Sequence, residues 1–320
     1  QYSTLLPRLS SREDLRDLLG ELIGELCTSH TYVWGGDSGV RVPRVGTGLL
    51  GADVEQVESG YEVTRIYRGD PADNERSPLS EPEAAVREGE IILEVNNAPF
   101  VPGLPFEAAF QGLAGKEVLL KVGGGSPKAK SREVVVTPLG GDRGLRYADW
   151  VRRNREYVAQ KTDGKIAYIH IPDMSTSGMI EFDTWFYPQL DREGMVVDAR
   201  WNGGGFVSQL MVERLRRKVV SFDRSRGGGI WPYPYRTLNG PFVVLTNQFA
   251  GSDGDIFPMA IQLEGLAPII GMRSWGGVVG IRADKPLVDG GILTQPEYAW
   301  WDAKQGWGLE NHGVDPDIVV

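Results

Sequence analysis

The chain has 320 residues, 41% of them apolar, and a formal net charge of −9, enough material for two or three domains, each with its own core. The acidic balance and the lack of a long Lys/Arg block argue against a nucleic-acid partner, whose phosphates need a concentrated basic surface; no apolar run approaches the roughly 20 residues that span a bilayer, so no membrane partner is expected. The single cysteine, Cys27, excludes an internal disulfide, and three scattered histidines leave no metal-ligand cluster, so no metal or other cofactor is expected.

Cys27 reads as a small buried hydrophobe, and the cysteine economy fits a reducing, cytoplasmic location. Ser11, an acidic turn, and Leu15, Leu18, Leu19, Leu22, Ile23 and Leu26 at helical spacing predict an N-capped amphipathic helix ending near Thr28. A chain that opens so close to a helix reads as a piece of a longer protein. From Gly46 to about Thr137 the pattern changes to short alternating strands with glycine turns. Within it, Pro78 and Pro82 predict a solvated loop, Glu83–Arg87 a helix and Ile91–Val95 a strand. Val118–Val122 and Val134–Val136 read as strands joined by the flexible connection Gly123-Gly124-Gly125-Ser126. Residues 143–160 are basic and helical and lead into the last domain.

After Gly164 the signal alternates between β and α. It predicts strand Ile166–Ile171, a helix to about Leu190, buried strand Gly194–Asp198, a glycine loop and helix Phe206–Lys218. Strand Phe242–Thr246 and helix Asp255–Leu263 follow. Ser252 therefore lies on a strand-to-helix turn. Such a turn holds a hydroxyl out from the sheet, and the next helix presents unpaired N–H groups to a negative oxygen. The alternative reading is an ordinary helix cap, for which Ser and Asp are both preferred.

The loop Asn202-Gly203-Gly204-Gly205 lets the backbone approach a ligand and donate a further N–H. It also reads as a plain tight turn, and no lysine follows to make a nucleotide-binding P-loop. A serine nucleophile needs a base. His170 falls in a buried alternating strand, His312 in a loop near the end, and His30 directly after a helix behind Ser29; the pattern does not choose among them.

Four ordered blocks carry a resemblance. Gly24-Glu25-Leu26-Cys27-Thr28-Ser29-His30-Thr31-Tyr32-Val33, Asn202-Gly203-Gly204-Gly205-Phe206-Val207-Ser208-Gln209, Gly251-Ser252-Asp253-Gly254 and Trp307-Gly308-Leu309-Glu310-Asn311-His312-Gly313-Val314-Asp315-Pro316-Asp317 closely resemble the tricorn core family of serine peptidases, in its C-terminal half. Gly46-Thr47-Gly48-Leu49 and Gly89-Glu90-Ile91-Ile92-Leu93-Glu94-Val95-Asn96 resemble a PDZ domain, whose members capture chain ends at a sheet edge; Thr47 and Leu49 depart from the commonest residues of its carboxylate-binding loop.

The resemblance implies an α/β protein in three parts: an N-terminal helical segment (1–44), a PDZ-like β-rich domain (45–140) and a crotonase/ClpP-like α/β catalytic domain (141–320). It implies a serine endopeptidase for short unfolded peptides, with Ser252 as nucleophile, His30 as base, and Ser29 and Glu310 completing a tetrad. The N–H groups of Asp253 and of Gly205 or Gly204 would form the oxyanion hole, and Asp223 would belong to the specificity pocket. It further implies peptide substrates produced by a larger protease, a ring-like homo-oligomer, a hexamer, and a pocket completed by a neighbouring subunit. The related C-terminal processing peptidases use a lysine base where this chain has Gly277. A binding protein of the same superfold, without catalysis, is the competing reading.

Overall fold

The computed structural model describes residues 1–37, 39, 45–69, 76–124 and 130–320. Two units emerge, one of Gln1–Arg41 with Arg155–Val320 and the other of Val42–Asn154. The division falls inside the long helix α2 (Arg143–Lys161), which follows helix α1 (Arg12–Gly24) in the chain.

In the middle unit, Ala52–Val57, Gly60–Ile66, Glu90–Val95, Val118–Gly124 and Arg132–Val136 are successive antiparallel neighbours in one sheet, with Ala98–Pro99 paired to Glu90–Val95. Val118, Leu120 and Val122 are fully buried while Lys121 lies toward solvent, the period-2 pattern of a sheet with one face in a core. Ile92, Val63 and Phe110 complete that core.

Glu83–Arg87 is a turn rather than the expected helix. Five residues that follow a proline and include a left-handed Ala85 (φ 44°) are too few to offset helix nucleation. The expected solvated loop at Pro78 is instead a buried 3-10 turn, Pro78–Ser80, with Ser77 capping the Leu79 N–H and Leu79 in the core. Gly123 and Gly124 extend a strand, opposite Ile91 and Glu90, and Gly125 and Ser126 lie outside the described residues. In the loop resembling a carboxylate-binding site, the Gly48 N–H donates to Phe110 O (2.9 Å) and the Leu49 N–H to Leu139 O (2.8 Å), so both amides are engaged by the unit's own backbone.

The other unit is built on a five-stranded, wholly parallel sheet in the order Ile318–Val319, Ile269–Gly271, Phe242–Thr246, Gly194–Asp198 and Ile166–His170. Helices α3 (Thr176–Phe186), α4 (Ser208–Leu215) and α5 (Asp253–Leu263) join its strands. Ile169, Val197, Val244 and Ile269 are fully buried with Phe182, Met211 and Phe257, which is why the central strands read as near-continuous apolar runs. Helix α4 starts later than expected because the N–H groups of Phe206 and Val207 turn back to Met174 O (2.7 and 3.1 Å).

The N-terminal segment belongs to this unit. Ser11 and Asp14 form a capping box at the start of α1, and Val33–Gly35 pairs with Gly291–Leu293. Helix α1 ends at Gly24, before the expected Thr28, and Cys27 adopts φ 52° with its carbonyl accepting from Asn311 Nδ2 (2.6 Å). That turn leaves Cys27 exposed and corrects its reading as a buried hydrophobe. Among the described residues no helix is long and apolar enough to cross a membrane, and no group of three or more His, Cys, Asp or Glu side chains is placed to hold a metal ion.

Candidate active site

The chain leaves strand Phe242–Thr246 into a turn organised by one amide side chain. Asn247 Oδ1 accepts from the Trp201 N–H (3.0 Å) and the Phe249 N–H (3.2 Å), and the Gly251 N–H donates to Asn202 O (3.0 Å). These bonds lock the turn before Ser252 onto the glycine loop. Ser252 holds φ 60° and ψ −126°, a strained region for a residue with a side chain, and its hydroxyl makes no capping bond to α5. The plain helix-cap reading therefore fails. At the first position of α5, the Asp253 N–H has no acceptor among the described residues. The Asp253 carboxylate accepts from the N–H (3.0 Å) and the hydroxyl of Ser208, tying α5 to the start of α4, and burial pushes its pKa up against those bonds.

The glycine loop hangs on Asn202, which is fully buried. Its Nδ2 donates to Ile171 O (2.9 Å) and its Oδ1 accepts the Gly204 N–H (2.9 Å), while the Gly203 N–H donates to Pro172 O (3.0 Å). The Gly205 N–H is left without an acceptor among the described residues. Of the two glycines that the sequence leaves open, Gly205 thus keeps an unengaged donor and Gly204 does not. Gly204 instead packs under the serine, since a Cβ there (φ +80°) would stand 2.5 Å from Ser252 Cβ.

Opposite this turn, Glu310 gathers four donors. Its Oε1 accepts the Ser29 N–H (2.6 Å), and its Oε2 accepts the Ser29 hydroxyl (3.1 Å) and the N–H groups of Val278 (2.7 Å) and Val279 (2.9 Å). Ser29 Oγ lies 2.9 Å from His30 Nδ1. With its proton directed to Glu310, Ser29 Oγ accepts from Nδ1–H, which assigns the lone pair to Nε2. His30 has φ 59°, and its carbonyl is held by the Thr294 hydroxyl (2.6 Å), whose oxygen also accepts the Tyr32 N–H (2.7 Å). Burial lowers the His30 pKa below the ordinary imidazole value, opposed by the charge of Glu310.

Segment 274–279 joins the two halves. Asp255, fully buried in the first turn of α5 with its pKa raised by that burial, accepts from the N–H groups of Gly276 (2.8 Å) and Gly277 (3.1 Å), and Glu310 holds the next two residues. Ser252 and His30 lie in the same unit and share no hydrogen bond among the described residues.

The other histidines lie in different surroundings. His170 is buried in its strand opposite Asp198, with its pKa lowered to about 4 chiefly by that burial. His312 is exposed, its Nε2 2.8 Å from Asp315. Asp223 stands in the exposed strand Ser221–Arg224, opposite Trp231 of Ile230–Tyr233, and no hydrogen bond or ion pair joins it to the residues around Ser252 among the described residues. Sequence reasoning missed Thr294, Asn311 and Asp255. Only Asp255 had a local signal, an acid in a helical first turn, which reads equally as a dipole effect.

The model of peptidase family S41 matches residues 165–320, and that of the tricorn protease PDZ domain matches residues 48–141. The whole chain aligns with "Tricorn protease homolog 1" of Streptomyces coelicolor at 43% identity and with "Tricorn protease" of Thermoplasma volcanium at 40%, covering 30% and 31% of those proteins. It superposes on the crystal structure of the tricorn protease with a TM-score of 0.91 at 38% identity, covering 100% of this chain and 31% of that one. The chain thus spans about 30% of the length of the curated relatives it matches.

Proposed function

Because the chain belongs to the tricorn group of family S41 serine peptidases, we propose that it cleaves short unfolded peptides internally through an acyl-enzyme on Ser252. The observation that carries this reading is the hydrogen-bonded chain Glu310–Ser29–His30, which prepares an imidazole with a bare Nε2. His30 Nε2 takes the proton of Ser252 as Oγ attacks the peptide carbonyl, then returns it to the leaving amine. A water deprotonated by the same nitrogen releases the acid and restores Ser252. Glu310 and Ser29 fix the tautomer and offset the positive charge that His30 acquires. The unengaged N–H groups of Gly205 and Asp253 face the developing oxyanion. In ligand-free sites the nucleophile–base bond is commonly long and tightens with substrate bound, in keeping with the missing Ser252–His30 bond. Gly277, where the related peptidases carry lysine, offers no alternative base.

A fluorophosphonate probe tests the reading directly. It is expected to label the protein at Ser252 and to leave Ser252→Ala unlabelled. A clean absence of label in the intact assembly would favour a binding role instead.

Asp223 extends the reading to specificity, in an assembly of several copies whose neighbouring subunits complete the pocket. An acidic group there favours Arg or Lys before the scissile bond, since charge-assisted pairing strengthens where water is excluded. Asp223→Asn should lower kcat/KM for an Arg peptide about tenfold or more, from a contact of roughly 1.5–3 kcal/mol, and leave the matched Phe peptide nearly unchanged. Equal losses for both peptides would assign Asp223 to structure or assembly.

A further inference from the structure

Trp275 lies where the nucleophile turn, the base and segment 274–279 meet. Its N–H donates to Ala250 O (2.9 Å), two residues before Ser252. Its indole meets the His30 ring edge-on, with centroids 5.3 Å apart and planes at 64°. Two glycines make room for that indole: a Cβ on Gly251 would stand 2.5 Å from Trp275 Cε3, and a Cβ on Gly277 would overlap the same ring. The indole therefore fills the space into which a side chain at position 277 would project.

The frame around it is built from both sides. Asp255 holds Gly276 and Gly277, Glu310 holds Val278 and Val279, and Ser274 exchanges bonds with Val314, accepting its N–H on Oγ (2.8 Å) and donating its own to the Val314 carbonyl (3.1 Å). Although 47% of Trp275 stays exposed, its indole takes up two vacated Cβ positions beside a segment anchored by the buried Asp255 and the part-buried Glu310, more than surface packing alone requires.

One hydrogen bond at Nδ1 leaves an imidazole free to swing about that contact. His30 gains its second constraint from two rings, Trp275 and Tyr32, the latter edge-on at 6.1 Å. We infer that Trp275 is a positioning residue for His30, its indole fixing the imidazole plane so that Nε2 is aimed toward the Ser252 turn while one ring face is kept dry. Among the described residues, the titratable groups that meet or act on His30 are the Glu310 carboxylate, acting through Ser29, and the Tyr32 phenol; Trp275 adds apolar surface and no charge. Removing the indole admits water and relieves the burial that holds the imidazole pKa down.

The inference rests on His30 being the base, so the test reads His30 apart from activity. Isotope-labelled histidine is titrated by NMR, with the His30 signal assigned through His30→Gln, and kcat/KM for a fluorogenic peptide is measured over the same pH range. In Trp275→Ala the His30 midpoint should move up toward the ordinary value of about 6.5. The acid limb of kcat/KM should move with it, and kcat should fall about tenfold or more, as misaimed catalytic groups do, with KM little changed. Trp275→Phe should restore most of both. If Trp275→Ala does not fold, Gly277→Ala decides, because it keeps the indole but puts a methyl group in its slot, and the same upward shift is expected. An unmoved His30 midpoint in a folded variant overturns the inference alone. A midpoint that moves while the acid limb stays put overturns His30 as base, and the inference with it.

Discussion

Ser252→Ala should lower single-turnover peptide cleavage by on the order of a million-fold and leave peptide binding nearly intact, with His30→Ala matching it in rate. In the proposed mechanism nucleophile and base act as a unit, so removing either removes the covalent route altogether, and only oxyanion stabilisation and binding remain. The serine contributes little to holding its own turn. That turn is secured by Asn247, by the Gly251 bond to Asn202 and by the Asp253 carboxylate on Ser208, none of which uses the Ser252 hydroxyl. Replacing the hydroxyl by hydrogen should therefore leave the thermal unfolding midpoint close to that of the parent. Rapid-mixing cleavage under excess enzyme, set beside binding by fluorescence anisotropy, separates chemistry from affinity. Substantial residual cleavage in Ser252→Ala would point to a different nucleophile, and a fully active His30→Ala beside a dead His170 or His312 variant would move the base.

Glu310→Gln should cost less than His30→Ala, on the order of a hundredfold in kcat. All four groups that meet this carboxylate are donors, three on Oε2 and one on Oε1. A glutamine can keep its carbonyl oxygen at the crowded position and turn its amide toward the Ser29 N–H. The Ser29 hydroxyl then still has its acceptor, so the tautomer of His30 survives. What is lost is the one opposed pair of donors, roughly 1–3 kcal/mol for an unsatisfied buried group, and the negative charge that steadies the imidazolium. The reverse orientation would face three donors and let the Ser29 hydroxyl turn its proton toward Nδ1, which protonates Nε2 and removes the base. A pH–kcat profile with a thermal unfolding curve distinguishes relay from scaffold: a wild-type rate in Glu310→Gln would remove Glu310 from the relay.

The elements that are local in origin are legible in the chain itself. The α1 cap at Ser11, the parallel strands Gly194–Asp198 and Phe242–Thr246, and the Ser252 turn all follow from short-range pattern, because capping, apolar runs and strand-to-helix turns are set by residues within about ten positions of each other. Expectation and fold part where distant chain overrides local preference. Leu79 is drawn into a core that proline and charge nearby give no reason to expect, and Cys27 is turned outward by a bond to Asn311.

Sequence alone determined the order of strands Ile166–His170, Gly194–Asp198 and Phe242–Thr246 with the helices between them, the position of Ser252 and Gly205 on loops at strand ends, and the absence of an internal disulfide. Only the tertiary structure decided which histidine is bonded through a serine hydroxyl to a carboxylate and which glycine keeps an unengaged N–H. Ser29 and Glu310 are 281 positions apart, and Asn202, which engages the Gly204 N–H, is itself oriented by Ile171, 31 positions away. Hydrogen bonds between groups so far apart leave no trace in local pattern, since they depend on where the fold brings two segments together and not on what surrounds either one in the chain.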